Sequence, residues 1–389
     1  MDRLPPDTGW TFSLARGLTG WQTLRRPWQA LVDAHQSACM LHQPAWYGAY
    51  LHHLCPDPDQ VVFVAVWRAR TLVAVLPLQV APHGDGRLVY QEARLVTHAH
   101  MILADLAGDP RDAVACWPAL LMWLQSRRAL PWDVLVLDGV ARGSCLAAVL
   151  AAHPPATALA EPVRETAWLD CSRDVDHALA TVSRSHHGNV RRLQRRAESR
   201  APLRFEVADV TERLDGALRA FFAVESSGWK ADAGTAIARH EPLQRFYTAL
   251  AHQFVQRGAC RIHLLHHGDE VIAAQFVVIG GRQMNLLKIG YRESCADIAP
   301  GHLIMRAAIE AACADPDIDR LSFVTHPPWA HLWKPQVDPV VQHQLFHPSW
   351  RGWLLYQVAC SRRWVRERPA PERRSPLSLR RLRTVDTPR

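Results

Sequence analysis

No two of the nine cysteines, at 39, 55, 116, 145, 171, 260, 295, 313 and 360, form a C-x-x-C pair. Their scatter and odd number argue for reduced thiols in a cytosolic protein rather than a disulfide framework. No apolar run reaches the roughly 18 residues of a membrane-spanning helix. The opening Met1-Asp2-Arg3-Leu4-Pro5-Pro6 lacks the basic start and long apolar stretch of a signal peptide, so the cytoplasm is the expected location. Acids are scarce at one end only. Residues 361–389 hold ten arginines against Glu367, Glu372 and Asp386, which is +7 of the net +8 and leaves about +1 for the rest. Pro369, Pro371, Pro376 and Pro388 break helical periodicity there, so a disordered basic tail is expected. A tether to nucleic acid or to an anionic membrane is the sharper alternative.

What is present is an ordinary globular composition, 48% hydrophobic and 21% charged over 389 residues, long enough for two domains. The chain repeats itself. Residues 61–80 and 261–280 each read as strand, tight turn, strand. Each is followed by a further strand, a Gly/Pro/Asp loop, an Ala-rich helix and a short buried strand, Asp133–Leu137 in one copy and Ile318–Val324 in the other. Pro77 is expected to put its strand at an edge or to stop it early. Residues 151–168 have a linker composition. A helix from about 175 to 200 carries Arg184, Arg191, Arg192, Arg195, Arg196 and Arg200, with Glu198 the one acid over 184–200. It is either a solvated face or an anion-binding wall, and no helix-turn-helix pattern surrounds it, so sequence-specific DNA binding is not expected. His98 and His100 share one face of a strand-like segment, where a half-buried polar pair is expected rather than a metal site. Trp350, Trp353, Leu354, Leu355, Val358 and Trp364 form a stripe that reads as a packed terminal helix, with a membrane-surface anchor as the alternative.

The second copy adds chemistry that the first lacks. Tyr291 to His302 joins a strand to a helix through small residues, and Pro300-Gly301-His302 opens that helix. Exposed backbone N–H groups at a helix start suit phosphates. Thr325 to Lys334 follows the closing strand, at the carboxyl end where open α/β folds place substrates. It crowds His326, Trp333 and Lys334 together.

These segments carry a resemblance. V-E-x-x-G-W-K-x-x-x-G-T-A-I (Val224 to Ile237), the Gly268-Asp269 hairpin with Ile272-Ala273-Ala274, L-K-x-x-Y (Leu287 to Tyr291), Pro300-Gly301 and Trp333-Lys334 occur in that order. Together they resemble bacterial acyltransferases of the GNAT fold, in the branch associated with cellulose biosynthesis and similar to FemAB peptidoglycan aminoacyltransferases. The likeness spans roughly residues 40–345 and is densest from 220 to 335. It implies an α/β fold of two tandem GNAT-like domains, with mixed central sheets flanked by helices and a basic disordered tail. The expected boundaries are 1–160 for a degenerate copy, 161–350 for the copy holding the donor, and 351–389 for a terminal helix and tail.

The usual phosphate loop, R/Q-x-x-G-x-G/A, is missing; Ala299-Pro300-Gly301-His302 stands in its place. In the first copy the corresponding loop, Ala104 to Asp112, starts with acids, so that copy is expected to shape the acceptor. The resemblance implies acyl-CoA (acetyl-CoA) as co-substrate, no metal, and an acceptor that is a small molecule or a glycan or peptidoglycan precursor. Pro300, Gly301 and His302 would bind the donor. Trp229, Lys230, Gly234, Thr235 and Trp333 would shape the cleft. Tyr291 or His326 would exchange the proton, Lys334 would neutralise the oxyanion or a phosphate, and Glu225 is a further candidate base. No Ser/His/Asp or Cys/His spacing stands out, so direct transfer is expected. Two other readings stand beside this one. One is a tRNA-dependent aminoacyltransferase using the Arg-rich helix and tail. The other is an inactive module in polysaccharide biosynthesis or export. Any anionic partner, tRNA or the inner-membrane surface, would meet the same basic segments.

Overall fold

The structure, a computed structural model, describes residues 9–35, 39–84, 86, 88–126, 129–227 and 237–367. The basic tail beyond 367 and the loop bearing Trp229, Lys230, Gly234 and Thr235 lie outside the described residues.

The first half contributes five consecutive strands to one large mixed sheet: β1 (Trp10–Arg16), β2 (Val61–Arg68), β3 (Thr71–His83), β4 (Tyr90–Leu95) and, after the two-residue β5 (Ala107–Gly108) that pairs with β3, β6 (Val134–Ala141). The second half supplies β8 (Leu203–Ala208), β9 (Cys260–His267), β10 (Glu270–Gly280), β11 (Gln283–Tyr291) and β12 (Arg320–Ser322) in reverse order across the sheet. The expected hairpins are β2–β3 and β9–β10. Val61 to Val66 are buried without alternation because helices and loops cover both faces. Around the sheet lie α1 (Gly17–Asp33), α2 (Pro44–His53), α3 (Pro110–Gln125), α4 (Cys145–Ala152), α5 (Val175–Ala178), α6 (Arg184–Glu198), α7 (Thr211–Glu225), α8 (Glu241–Val255), α9 (Pro300–Ala314) and α10 (Trp350–Glu367).

Between the halves lie β7 (Ala158–Asp170) and β13 (Gln336–Phe346), and they are exchanged. β7 leaves the first half and pairs with β12 of the second. β13 leaves the second half and pairs with β6 of the first. The two also pair with each other along most of their length. The segment 151–168 is therefore largely strand rather than linker. Its Pro162 is accommodated where the register shifts opposite Val340 and Val341, a bulge that needs no N–H from that residue. The boundary expected at 160 falls inside β7. Residues 161–389 expressed alone would carry β13 with its β6 edge open. We expect each half to be insoluble alone and the two to reassociate when co-expressed, read by size-exclusion chromatography.

Pro77 does not stop its strand either. β3 runs on to His83 between β2 and β4. On the β4 side the ladder passes from Ala74–Val75, paired with β5, to Leu78, paired with Leu95, so the proline sits in the gap. Its carbonyl still accepts from the Val96 N–H at 3.1 Å. Helix packing joins the halves as well: Trp46 of α2 is 1% exposed and lies edge-on to Phe246 and Phe254 of α8. All nine cysteines are free thiols.

Candidate functional site

β11 and β12 run parallel but pair only over Gln283–Asn285 and Arg320–Ser322. Beyond that point β11 continues to Tyr291. The chain after Ser322 turns at Val324, φ 64°, and follows β7, with Phe323 N–H bonded to Ala167 O and Ala167 N–H to Thr325 O. The two parallel strands splay, and their carboxyl ends border the opening, the position at which α/β sheets accept ligands. The first half has the same splay between β4 and β6, but its own chain fills it. Ala104 N–H donates to Gly139 O at 3.1 Å. A β-carbon on Gly139, whose φ is +78°, would stand 2.8 Å from Ile102 O. That glycine is required by close approach of the plug.

At the mouth of the second opening Ala299 takes a left-handed conformation, φ 48° and ψ 64°, and no side chain caps α9. Pro300 has no N–H and the His302 N–H goes to Ala299 O at 3.0 Å, so the Gly301 amide is the one left for a ligand, in the field of a fifteen-residue helix. The Tyr291 ring lies 3.6 Å from where a β-carbon on Gly301 would sit, so these two predicted residues meet. His302 and Trp333 meet through a residue not foreseen, His186 of α6. Its ring is 5.2 Å from His302 and 4.8 Å from Trp333. Ser183 caps α6 by accepting from His186 N–H, and the stripe His186, Val190, Leu193, Ala197 packs inward.

Between α6 and α9 is a cavity of about 90 Å³, bordered by His186, His187, Arg191, Arg306, Glu310 and Trp333. His186 Nε2 and Trp333 Nε1 are buried there without a hydrogen-bond partner. Buried polar nitrogens in that state cost roughly 1–3 kcal/mol each, a debt an incoming acceptor would remove. Arg306 pairs with Glu310 at 2.6 Å, whereas Arg191 has no partner among the described residues. Arg196 of α6 and Arg200, just past its end, hold Asp297 at 3.0 and 2.6 Å, just ahead of α9. Burial, reinforced by His302, His187 and His331, holds His186 below its ordinary pKa, and burial does the same to His302. Folding thus favours neutral rings. The contribution to stability is negative as pH falls below the unfolded value near 6.5, where the unfolded chain takes up the protons first. The α6–α9 contact is expected to loosen between about pH 7.5 and 5.5, visible as faster amide exchange in α6.

A second polar group spans the halves. His98 and His100 stack at 5.6 Å, and His100 Nδ1 is hydrogen-bonded to Tyr247 Oη at 2.9 Å. They are half-buried, as expected of a polar pair. Lys288 of β11, unforeseen as a site residue, lies close enough that its charge adds to burial in depressing the His98 pKa. Burial and the Glu225 carboxylate push the Tyr247 hydroxyl well above its usual range. Glu225 itself is 3% exposed, accepts from Ile237 N–H at 2.8 Å and backs onto Gly290, where a β-carbon would stand 2.9 Å from Glu225 Cα.

His326 and Lys334 stand apart from the α6–α9 group, and Trp333 joins it only in part. His326 Nδ1 is bonded to Glu165 of β7 at 2.7 Å, a base with an orienting carboxylate. Trp333 is 1% exposed and belongs to the core, with only its edge reaching the cavity. Lys334 is exposed and ends its turn in a left-handed conformation, φ 50°. A larger cavity, about 1020 Å³, lies under α10, far along the sheet from α9. Its Arg94 is paired with Glu92 and Asp138, and Arg362 and Arg363 of α10 also line it.

The fold is that of GNAT-like domains in tandem, and residues 184–330 match the family of acetyltransferase (GNAT) domains. FemX is similar in structure, with a TM-score of 0.58 at 12% identity over 86% of this chain and 98% of FemX. The C-terminal domain of a protein described as a lysylphosphatidylglycerol synthetase from Agrobacterium fabrum gives 0.54 at 10% identity, over 87% of this chain and 96% of that one. L-PGS from Bacillus licheniformis gives 0.50 at 12% identity, over 87% and 96%. Comparison with curated protein sequences finds no match.

Proposed function

We propose that the chain is an acyltransferase that moves an acyl group from acyl-CoA directly to an amine or hydroxyl of an envelope or polysaccharide precursor. The observation that carries the reading is the asymmetry of the two splays: one is plugged by residues 102–105, while among the described residues no such segment fills the other, which lies beside an uncapped helix start and a cavity with unmatched donors. A pyrophosphate-bearing donor fits that set, with the Gly301 amide, His186 Nε2, Trp333 Nε1 and the Arg191 guanidinium as its ligands. The donor supplies an activated acyl carbon. The protein then has to hold it, accept one proton from the acceptor and offset developing negative charge. Tyr291, beside Gly301, and His326, oriented by Glu165, are the proton acceptors at the strand ends. Lys288, whose charge reaches His98 of the first half, is a cation available to offset negative charge where the halves meet.

The second reading is transfer of an aminoacyl group from charged tRNA. It is favoured by Arg184, Arg191 and Arg195, which have no partners among the described residues and line one helix. Mass spectrometry of ligands retained by the native protein separates the readings. CoA or an acyl-CoA supports the first, and RNA that survives removal of the tail supports the second. Because anion binding favours protonated His186, donor binding is expected to take up protons and to oppose the loosening of α6 as pH falls, with the proton uptake measurable by calorimetry in buffers of different ionisation enthalpy.

A further inference from the structure

Helix α10 turns one side to the sheet and leaves the other uncovered. Leu355 is buried, and the Tyr356 ring lies 5.3 Å from Phe346, closing a small cluster with Val134 and Val136. The opposite stripe holds Trp350, 75% exposed, Trp353, 61%, and Leu354, 40%, with Trp364, 58%, further along the same face. Two indoles three residues apart on a helix form a contiguous apolar surface, which water-facing helices do not ordinarily carry. The helix leads directly into the arginine-rich end of the sequence, where 361–389 carries +7. Indoles favour the boundary between hydrocarbon and water, and a run of arginines favours anionic headgroups. No helix among the described residues is long and apolar enough to cross a membrane.

We propose that α10 is a peripheral membrane anchor: its Trp350–Trp353–Leu354 face lies in the headgroup region of an anionic bilayer, and the arginines that follow hold the helix there. Aromatic surface alone would suit a second copy of the chain, and arginines alone would suit a nucleic acid. Only a lipid surface with negative headgroups uses both at once.

The test is flotation of the full chain with vesicles of phosphatidylcholine alone or containing about 30% phosphatidylglycerol, at about 50 mM and about 500 mM salt. The protein is expected to float with the anionic vesicles at low salt, to be largely released at high salt, and to ignore the neutral ones. The double variant Trp350→Ala/Trp353→Ala, at exposed positions and so expected to melt at the unchanged temperature, should bind about tenfold less. A tail in which the arginines after 367 become glutamine should lose the preference for anionic vesicles. Failure to float with anionic vesicles at low salt would overturn the proposal. So would equal flotation of the double variant, or a concentration-dependent dimer in sedimentation that the same variant abolishes.

Discussion

Replacing Asp105 by alanine is expected to destabilise the protein by about 3–5 kcal/mol, the range found when one partner of a buried charge pair is removed. Asp105 is 2% exposed and holds two elements at once. Its Oδ1 accepts from the Leu106 and Leu146 amides at 2.9 and 2.8 Å, and its Oδ2 from the Cys145 amide at 2.9 Å. The Leu146 and Cys145 amides open α4, so the carboxylate serves that helix start as well. His42 Nε2 donates to Oδ2 at 2.8 Å, tying the 40–42 turn to the plug of the first splay. Alanine would leave the buried His42 ring and three amides without an acceptor. Burial acts to lower the His42 pKa, but the Cys39 sulfur and the Asp105 carboxylate outweigh it, and the pKa is raised well above the usual value. A raised folded pKa stabilises fully below about pH 6.5 and is lost as pH rises through the folded value. Denaturant midpoints should therefore fall on the alkaline side in the native protein. Asp105→Asn, already weakened, should show a flatter profile. Cys39, His42 and Asp105 present ligand atoms within 4.8 Å of one another, but both carboxylate oxygens already serve amides, and the trio reads as a structural tie.

Substituting Arg191→Glu together with His186→Ala is expected to weaken donor binding about 100-fold, close to 3 kcal/mol. A charge-assisted hydrogen bond contributes about 1.5–3 kcal/mol, and reversing the sign adds repulsion in a partly desolvated site. Arg191 reaches the cavity from the outer face of α6, so its replacement leaves the inward stripe Val190, Leu193, Ala197 in place. The Arg306–Glu310 pair across the cavity is also untouched. Calorimetric titration reads the affinity, and a melting curve for each single variant separates a lost ligand group from a loosened helix. Arg191→Glu alone should carry most of the effect, because the imidazole is neutral near pH 7.

Much of the fold is legible because its signals are local. The hairpins announce themselves through buried Val/Leu runs around a tight turn, as at Gly268-Asp269, and α9 through Pro300 at its first turn. The exchange of β7 and β13 is not local. β7 is half polar, contains Pro162, and owes its extended form to partners 150 or more residues away at β12 and β13, which no short window contains. The same holds for the site. Tyr291 and Gly301 share one strand-to-helix loop and were readable together, whereas His186 was hidden inside an arginine run. A signal was available: Ser183 as a cap and His186, Val190, Leu193 and Ala197 at helical spacing place that histidine on the buried stripe. Lys288 stood in the L-K-x-x-Y motif, but its neighbour His98 lies in the other half of the chain, and only the packed halves bring them together.

In the proposed function one copy of the repeated fold, the second, holds the donor. Titrating acetyl-CoA into the full chain, into Arg191→Glu and into Arg111→Glu, at the start of the corresponding first-half helix α3, tests it directly. A single site is expected, weakened about 30- to 100-fold by Arg191→Glu and unchanged by Arg111→Glu. Binding that survives Arg191→Glu at full strength, or that is lost with Arg111→Glu, would contradict it.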